Sequence, residues 1–249
     1  MLVTAFNTII FTPLYNGLVF LIDVLPLADV GFAVVLLTIL VKIILFPLAH
    51  KVARMQVQMR ELSPHIEAIK EQYKDDKQEQ TLKLMALYKE KNIRPFLSIL
   101  VVLIQLPIIF GLYWVFFRGG LPTIQIELLY SFVPVPEMVN MHFLGLFDMG
   151  GRSIVLALLA GITQFIHTSY ALPAPKPRGE NPSIKDDLAH SFHLQMKYVM
   201  PIIVVVISYT ISAAIALYWL TSNLFAIGQE LLVLRKAKAA VATETHDNG

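Results

Sequence analysis

The chain has 249 residues, of which 56% are hydrophobic, and a mean hydropathy of +0.63. That is too apolar for an ordinary soluble domain and fits a polytopic membrane protein. There are no cysteines, which excludes disulfides, thiolate catalysis and Cys-ligated zinc, and a net charge of +2 says little beside the placement of the charges.

The first 41 residues carry no Lys or Arg. A secretory signal peptide has a basic leading region, so none is expected here. Thr4, Asn7, Thr8, Thr12 and Asn16 recur at helical spacing, and Pro13 and Asp23 interrupt a clean span. Residues 1–28 are therefore read as an N-terminal amphipathic helix lying in the membrane interface. A further transmembrane helix is the alternative.

The first span, 29–49, holds Lys42 in an otherwise apolar run that ends near Pro47. A charge at membrane depth costs about 2.5–3.5 kcal/mol on insertion scales, so it is kept where water or a partner reaches it. Lys42 lies about 17 Å along a span that starts near Gly31, past the middle of a core about 30 Å thick. Snorkelling to the interface is the bland reading. A wet functional groove shared with Thr38, one turn earlier, is the reading adopted.

Residues 50–93 change character: nine Lys and Arg are mixed with Glu and Gln, while Met55, Met59, Leu62, Ile66, Leu82, Met85 and Tyr88 recur at helical spacing. This predicts a helical hairpin outside the bilayer, turning at Lys74-Asp75-Asp76-Lys77, with a kink or break at Pro64. The second span, 94–117, contains Gln105; the loop 118–151 is fairly apolar, but two prolines and Glu137 within 128–147 argue against a span there, and it is expected partly in the interface. The third span, 152–172, holds Gln164 and His167, and a proline-rich charged loop occupies 173–196. The apolar stretch 198–234 would measure about 55 Å as one helix, so it is read as two spans, 197–212 and 214–234, before a tail at 235–249.

Basic residues concentrate in 50–93, 173–196 and the tail. Five spans put all three on the cytoplasmic side and the N-terminus outside. The expected fold is all-α: five transmembrane helices around a hydrophilic groove open to the cytoplasm. Lys42, Thr38, Gln105, Gln164 and Asn223 are its candidate lining, because polar side chains avoid lipid. Each amide singly could equally be interhelical glue. No catalytic, nucleotide-binding or metal-binding signature is present, so neither an enzyme nor a cofactor is expected, and no specific nucleic-acid site is read.

Five local patterns follow in order. They are Leu36-Leu37-Thr38 through Lys42 to Leu45-Phe46-Pro47-Leu48, Ile104-Gln105-Leu106-Pro107-Ile108, Gly161-Ile162-Thr163-Gln164-Phe165, Met196-Lys197-Tyr198-Val199-Met200-Pro201, and Leu217-Tyr218-Trp219-Leu220-Thr221-Ser222-Asn223-Leu224-Phe225. With the charged hairpin between the first two spans, the chain resembles the YidC/Oxa/Alb membrane-insertase family in its five-span form.

The resemblance implies a function: insertion and folding of nascent membrane proteins in the bacterial cytoplasmic membrane, alone or with the Sec translocon and the ribosome. It implies an arginine in the groove where this chain has Lys42, a point charge rather than a fork of donors. By position, Gln164 and Trp219 match family groove residues. The long basic ribosome-binding tail of some members is not seen, so ribosome contact is expected on the hairpin and loops. Met55, Met59 and Met85 are the expected client-capturing residues of the hairpin, methionine being adaptable. A small-solute transporter, an assembly chaperone without insertase activity and an intramembrane enzyme are the rival readings.

Overall fold

The computed structural model of the chain describes residues 2–91, 97–171 and 190–247. The expected loop at 173–196 falls largely outside the described residues, as do the side chains of Gln105 and of the 235–249 tail. Nearly everything described is helical. Short helix α1 (Leu2–Phe6) runs through a π-turn, Asn7–Phe11, into α2 (Thr12–Val24). Then come α3 (Val30–Glu61), α4 (Ser63–Gln72), α5 (Lys77–Glu90) and α6 (Leu97–Arg118). A two-stranded hairpin, β1 (His142–Phe143) with β2 (Phe147–Asp148), precedes α7 (Ile154–Ala171), α8 (Met200–Ile211) and α9 (Ala213–Asp247). A π-turn, Gln195–Val199, leads into α8.

Among the described residues, four helical stretches are long and apolar enough to cross a membrane: Val3–Val24, Val30–Met59, Ile154–Ala171 and His190–Ile211. The first is the helix expected in the interface; its length and composition also suit a span. Only Ser212, with extended backbone, separates α8 from α9.

The chain forms two compact units. One comprises residues 1–45 and 104–227, the other 46–103 and 228–249. The core of the first is built from helical stripes. Tyr15, Leu18, Val19 and Ile22 of α2 are fully buried at i, i+3, i+4, i+7, and Val30, Ala33, Val34 and Leu37 of α3 repeat the spacing. Leu112 and Val115 of α6 join them. The first six residues of α9, Ala213 to Tyr218, are buried all round. Three of those six are alanines, so the backbone of α9 can enter the middle of the bundle closely.

The segment 119–151 is fastened to this core by side chains of the N-terminal helix. Asn16 Nδ2 donates to the Leu128 carbonyl at 2.8 Å, and the Tyr130 amide donates to Asn16 Oδ1 at 2.6 Å. The Tyr15 hydroxyl donates to the Gly119 carbonyl at 3.2 Å and accepts from the Gln125 amide at 2.8 Å. Asp29, buried, caps α3: one carboxylate oxygen accepts from the amides of Gly31 at 2.7 Å and Phe32 at 3.1 Å. The other accepts from the Leu144 amide at 3.3 Å. A β-carbon at Gly31 would overlap the Phe143 ring, so glycine is what lets β1 lie against the first turn of α3.

In the second unit, α4 and the end of α3 pack on α5. Leu62 and Ile66 are buried against Met59, Leu84, Leu87 and Tyr88. The helix breaks at Leu62, and Pro64 falls in the first turn of α4, where its missing N–H costs nothing. Asp76 caps α5 through the amides of Gln78 and Glu79, both at 3.0 Å. Gln80 closes the turn onto the Lys70 carbonyl at 2.8 Å. Partial burial pushes the Tyr88 hydroxyl pKa up. The exposed ion pairs, such as Lys83 with Glu79 at 3.5 Å, add little.

Asp29→Ala is expected to lower stability by about 1–2 kcal/mol, the usual worth of a helix cap. Asp29→Asn should lose less, since one amide oxygen still accepts. Unfolding midpoints in detergent check the order: an alanine variant as stable as the parent would show that the cap is idle.

Candidate functional site

Of the exposed apolar residues of α3, Phe32, Leu36, Leu40, Ile43 and Ile44 fall on one side, while Phe46 lies one turn after Lys42. At 100° per residue, Lys42 and Thr38 project from the opposite side. Thr38 is buried, and its hydroxyl donates to the Val34 carbonyl at 2.7 Å, which satisfies it within its own helix. Lys42 is half-buried. The lysine thus lies off the main exposed apolar stripe of α3.

Across the same unit, α7 and α9 contribute amides. Asn223 is buried, and its Nδ2 donates to the Ala160 carbonyl at 3.3 Å and to Thr163 Oγ1 at 3.4 Å. Thr163 itself donates to the Leu159 carbonyl at 2.9 Å and the Ala160 carbonyl at 3.0 Å. Gln164 donates to Thr168 Oγ1 at 3.1 Å along α7. Trp219, one turn before Asn223, packs half-buried against the core. Gly161 allows α7 to lie directly against α8, since a β-carbon there would meet Val205 and stand 3.1 Å from the Pro201 carbonyl.

The structure therefore joins Asn223 to Thr163 and links Gln164 to Thr168. It sets Thr38 and Lys42 off the main exposed apolar stripe of α3. The Gln105 side chain lies outside the described residues. Sequence reasoning missed Thr163 and Thr168 as partners of the amides; only their i, i+4 spacing from Leu159 and Gln164 hints at this, and such spacing is common. A cavity of about 520 Å³ lies elsewhere, between Val3, Phe6, Asn7 and Phe11 of the N-terminal helix and Trp114, Gln125 and Leu128. Among the described residues no group of three or more His, Asp or Glu is placed to hold a metal.

On the hairpin, the three methionines differ. Met59 is packed against Leu62 and Ile66, Met55 is half-buried, and Met85 is 63% exposed. Leu82, at 62%, is exposed on the same helix, α5.

A family model described as "60Kd inner membrane protein" matches residues 22–240. The chain belongs to the YidC/Oxa/Alb family. It is 34% identical over 207 residues to a protein of Clostridium tetani named "Membrane protein insertase YidC", covering 83% of this chain and 82% of that one. A protein of the same name from Fusobacterium nucleatum is 32% identical over 206 residues, covering 83% and 86%. The chain spans only 34% of another so named, from Methylobacillus flagellatus, at 32% identity. Family membership and the apolar helices make this a multi-pass membrane protein.

Asn223→Ala should weaken the α7–α9 tie by about 1 kcal/mol, the net worth of a hydrogen bond in a membrane bundle being of that order or less. Asn223→Leu is expected to cost more, because it loses the same donor and sets a branched apolar side chain against the Thr163 hydroxyl. Unfolding of both variants in detergent tests the order; equal stability would show that Asn223 is not structural glue.

Proposed function

We propose that this chain is a membrane protein insertase and chaperone that inserts and folds nascent integral membrane proteins. The observation that carries the reading is the match to proteins named as insertases over most of this chain and most of theirs, in two organisms. The polar face on α3, bearing Thr38 and Lys42, supports it.

On this reading five spans enclose a groove open to the cytoplasm of a bacterial cell, with the N-terminus outside and the C-terminus inside. The basic residues of 50–93, 173–196 and the tail support that orientation, because lysines and arginines are retained on the cytoplasmic side. Lys42, Thr38, Gln105, Gln164, Trp219 and Asn223 border the groove. A nascent segment enters from the cytoplasm. Lys42 and the amides hydrate and attract its acidic or polar residues, which lowers the desolvation cost of crossing. The hydrophobic span of the client slides out into lipid, and partitioning of apolar surface drives its release. The hairpin takes up clients through exposed apolar residues, Met85 and Leu82 foremost. The ribosome and the Sec translocon are the partners on the cytoplasmic and membrane sides.

The test is reconstitution of the purified chain in liposomes with a ribosome-synthesised single-span client carrying a photo-crosslinker. Protease protection with crosslinks around Lys42 and Gln164 is the expected result. Crosslinks without protection would mean an assembly chaperone instead, and solute flux without client would mean a transporter.

Substitutions at Lys42 and on the hairpin sharpen it. Lys42→Ala should reduce insertion of clients with acidic translocated tails about tenfold and of neutral ones much less, with Lys42→Arg retaining activity; one favourable charge contact is worth roughly 1–2 kcal/mol, and 1.4 kcal/mol is tenfold. Equal loss for both clients would remove the electrostatic role. Leu82→Gln with Met85→Gln should cut hairpin crosslinks severalfold while leaving the unfolding midpoint in place. Met59→Gln should lower that midpoint, since Met59 belongs to the packed side of the hairpin.

A further inference from the structure

The turn between β1 and β2 is built from residues that neither water nor its backbone geometry favours. The Leu146 amide donates to the Phe143 carbonyl at 3.0 Å, which closes a four-residue turn centred on Leu144 and Gly145. Both central residues have positive φ, 55° at Leu144 and 70° at Gly145. Such turns ordinarily take Asn-Gly or Asp-Gly, because a β-carbon resists the left-handed conformation and a short polar side chain tolerates it. Here a leucine occupies the first position. It is 57% exposed, and Leu146 beside it is 76% exposed. Leu27, two residues before Asp29, has the same peculiarities: φ is 71° and the side chain is 79% exposed.

The place of this hairpin in the fold says what surrounds it. The Leu144 amide is bonded to the carboxylate that caps α3. The Phe143 ring meets the Phe32 ring edge-on, with centroids 5.1 Å apart. Phe32, Leu36 and Leu40 form the exposed apolar stripe of α3, the surface that a helix of this composition turns to lipid. The hairpin meets that stripe at its first residue, Phe32, and its tip is exposed beside it. From Val139 to Phe147 there is no Asp, Glu, Lys or Arg to hold the tip in water.

We propose that the hairpin tip, Leu144 and Leu146, is seated in the lipid leaflet at the Val30 end of α3, with Leu27 beside the same end, and pins the 119–151 segment to the bilayer. An apolar surrounding removes the penalty of exposing three leucines and gives a reason for leucine where the turn geometry favours asparagine. Lipid is the occupant because the tip is exposed beside a lipid-facing surface. The proposal stands whichever side of the membrane that leaflet faces, and it does not require the insertase reading.

The absence of cysteine makes the test direct. Leu146→Cys and Glu137→Cys, and Leu40→Cys as a reference in α3, each carry a nitroxide in proteoliposomes of phosphatidylethanolamine and phosphatidylglycerol. Power saturation compares accessibility to oxygen, which partitions into lipid, with accessibility to a water-soluble nickel chelate. The label at 146 should follow that at 40, with oxygen favoured severalfold over nickel, whereas the label at 137 favours nickel. A label at 146 that behaves like the one at 137 overturns the proposal. So does a label shielded from both reagents, which would mean that protein, such as a second copy of the chain, covers the tip. Adding Leu144→Asn, which suits the turn better, should move the label at 146 severalfold toward nickel; no change would remove Leu144 from the anchor.

Discussion

The buried starts of α3 and α9 govern much of this structure. The first N–H groups of a helix have no partner within it, and in an apolar bundle no water is at hand to take them. At α3 the Val30 amide donates to the Asn140 carbonyl at 3.0 Å, and Asp29 accepts the next two. At α9 the Ala213 amide donates to the Gly151 carbonyl at 2.8 Å and the Ala214 amide to the Met149 carbonyl at 3.2 Å. The Ser212 hydroxyl takes the Ile215 amide at 3.4 Å. The segment 119–151 supplies three of these acceptors. It is the cap that lets two helices begin inside protein, and Tyr15 and Asn16 hold it there.

That arrangement also accounts for the single-residue break at Ser212. A helix could continue through this position only if the amides that now reach Gly151 and Met149 turned back into the preceding turn. Stopping α8 and restarting α9 at once exchanges those bonds for others with no intervening loop. The run of alanines just after Ser212 fits the same place, since a bulkier side chain would keep α9 from the core.

Polar side chains further along the helices behave differently. Thr38, Thr163, Ser169, Thr210 and Thr221 return their hydroxyls to carbonyls of their own helices. They leave little unsatisfied polarity. Asn223 reaches across to another helix. On the proposed mechanism, the charge of Lys42 is then the costly feature of the bundle, and a hydrated groove is what offsets the cost. The hairpin packs Met59, Leu62 and Ile66 within itself and leaves Leu82 and Met85 exposed.

Composition and hydropathy were enough to read a mostly helical membrane protein, because a bilayer admits few ways of satisfying a backbone; the short β1–β2 hairpin was not read. Five ordered patterns, from Leu36 to Phe225, were enough to read its family. Less was legible at the polar positions. Asn16 reads as one of several residues on the polar face of an amphipathic helix, yet it bonds to the backbone at Leu128 and Tyr130, more than 110 residues away. No spacing singles out Asp29, and it caps α3 and holds a hairpin. Of three methionines at similar spacing, one is packed within the hairpin and another is exposed.

What the sequence determined by itself is local or global in average: that apolar helices dominate the chain, and which family the order of its patterns belongs to. Those properties follow from transfer free energies and helix periodicity, which act on neighbouring residues. What only the tertiary structure decided is which distant backbone groups meet which side chains. Hydrogen-bond partners between residue 16 and residue 130, or 29 and 144, exist only after the chain has closed on itself, and no period in the sequence records them.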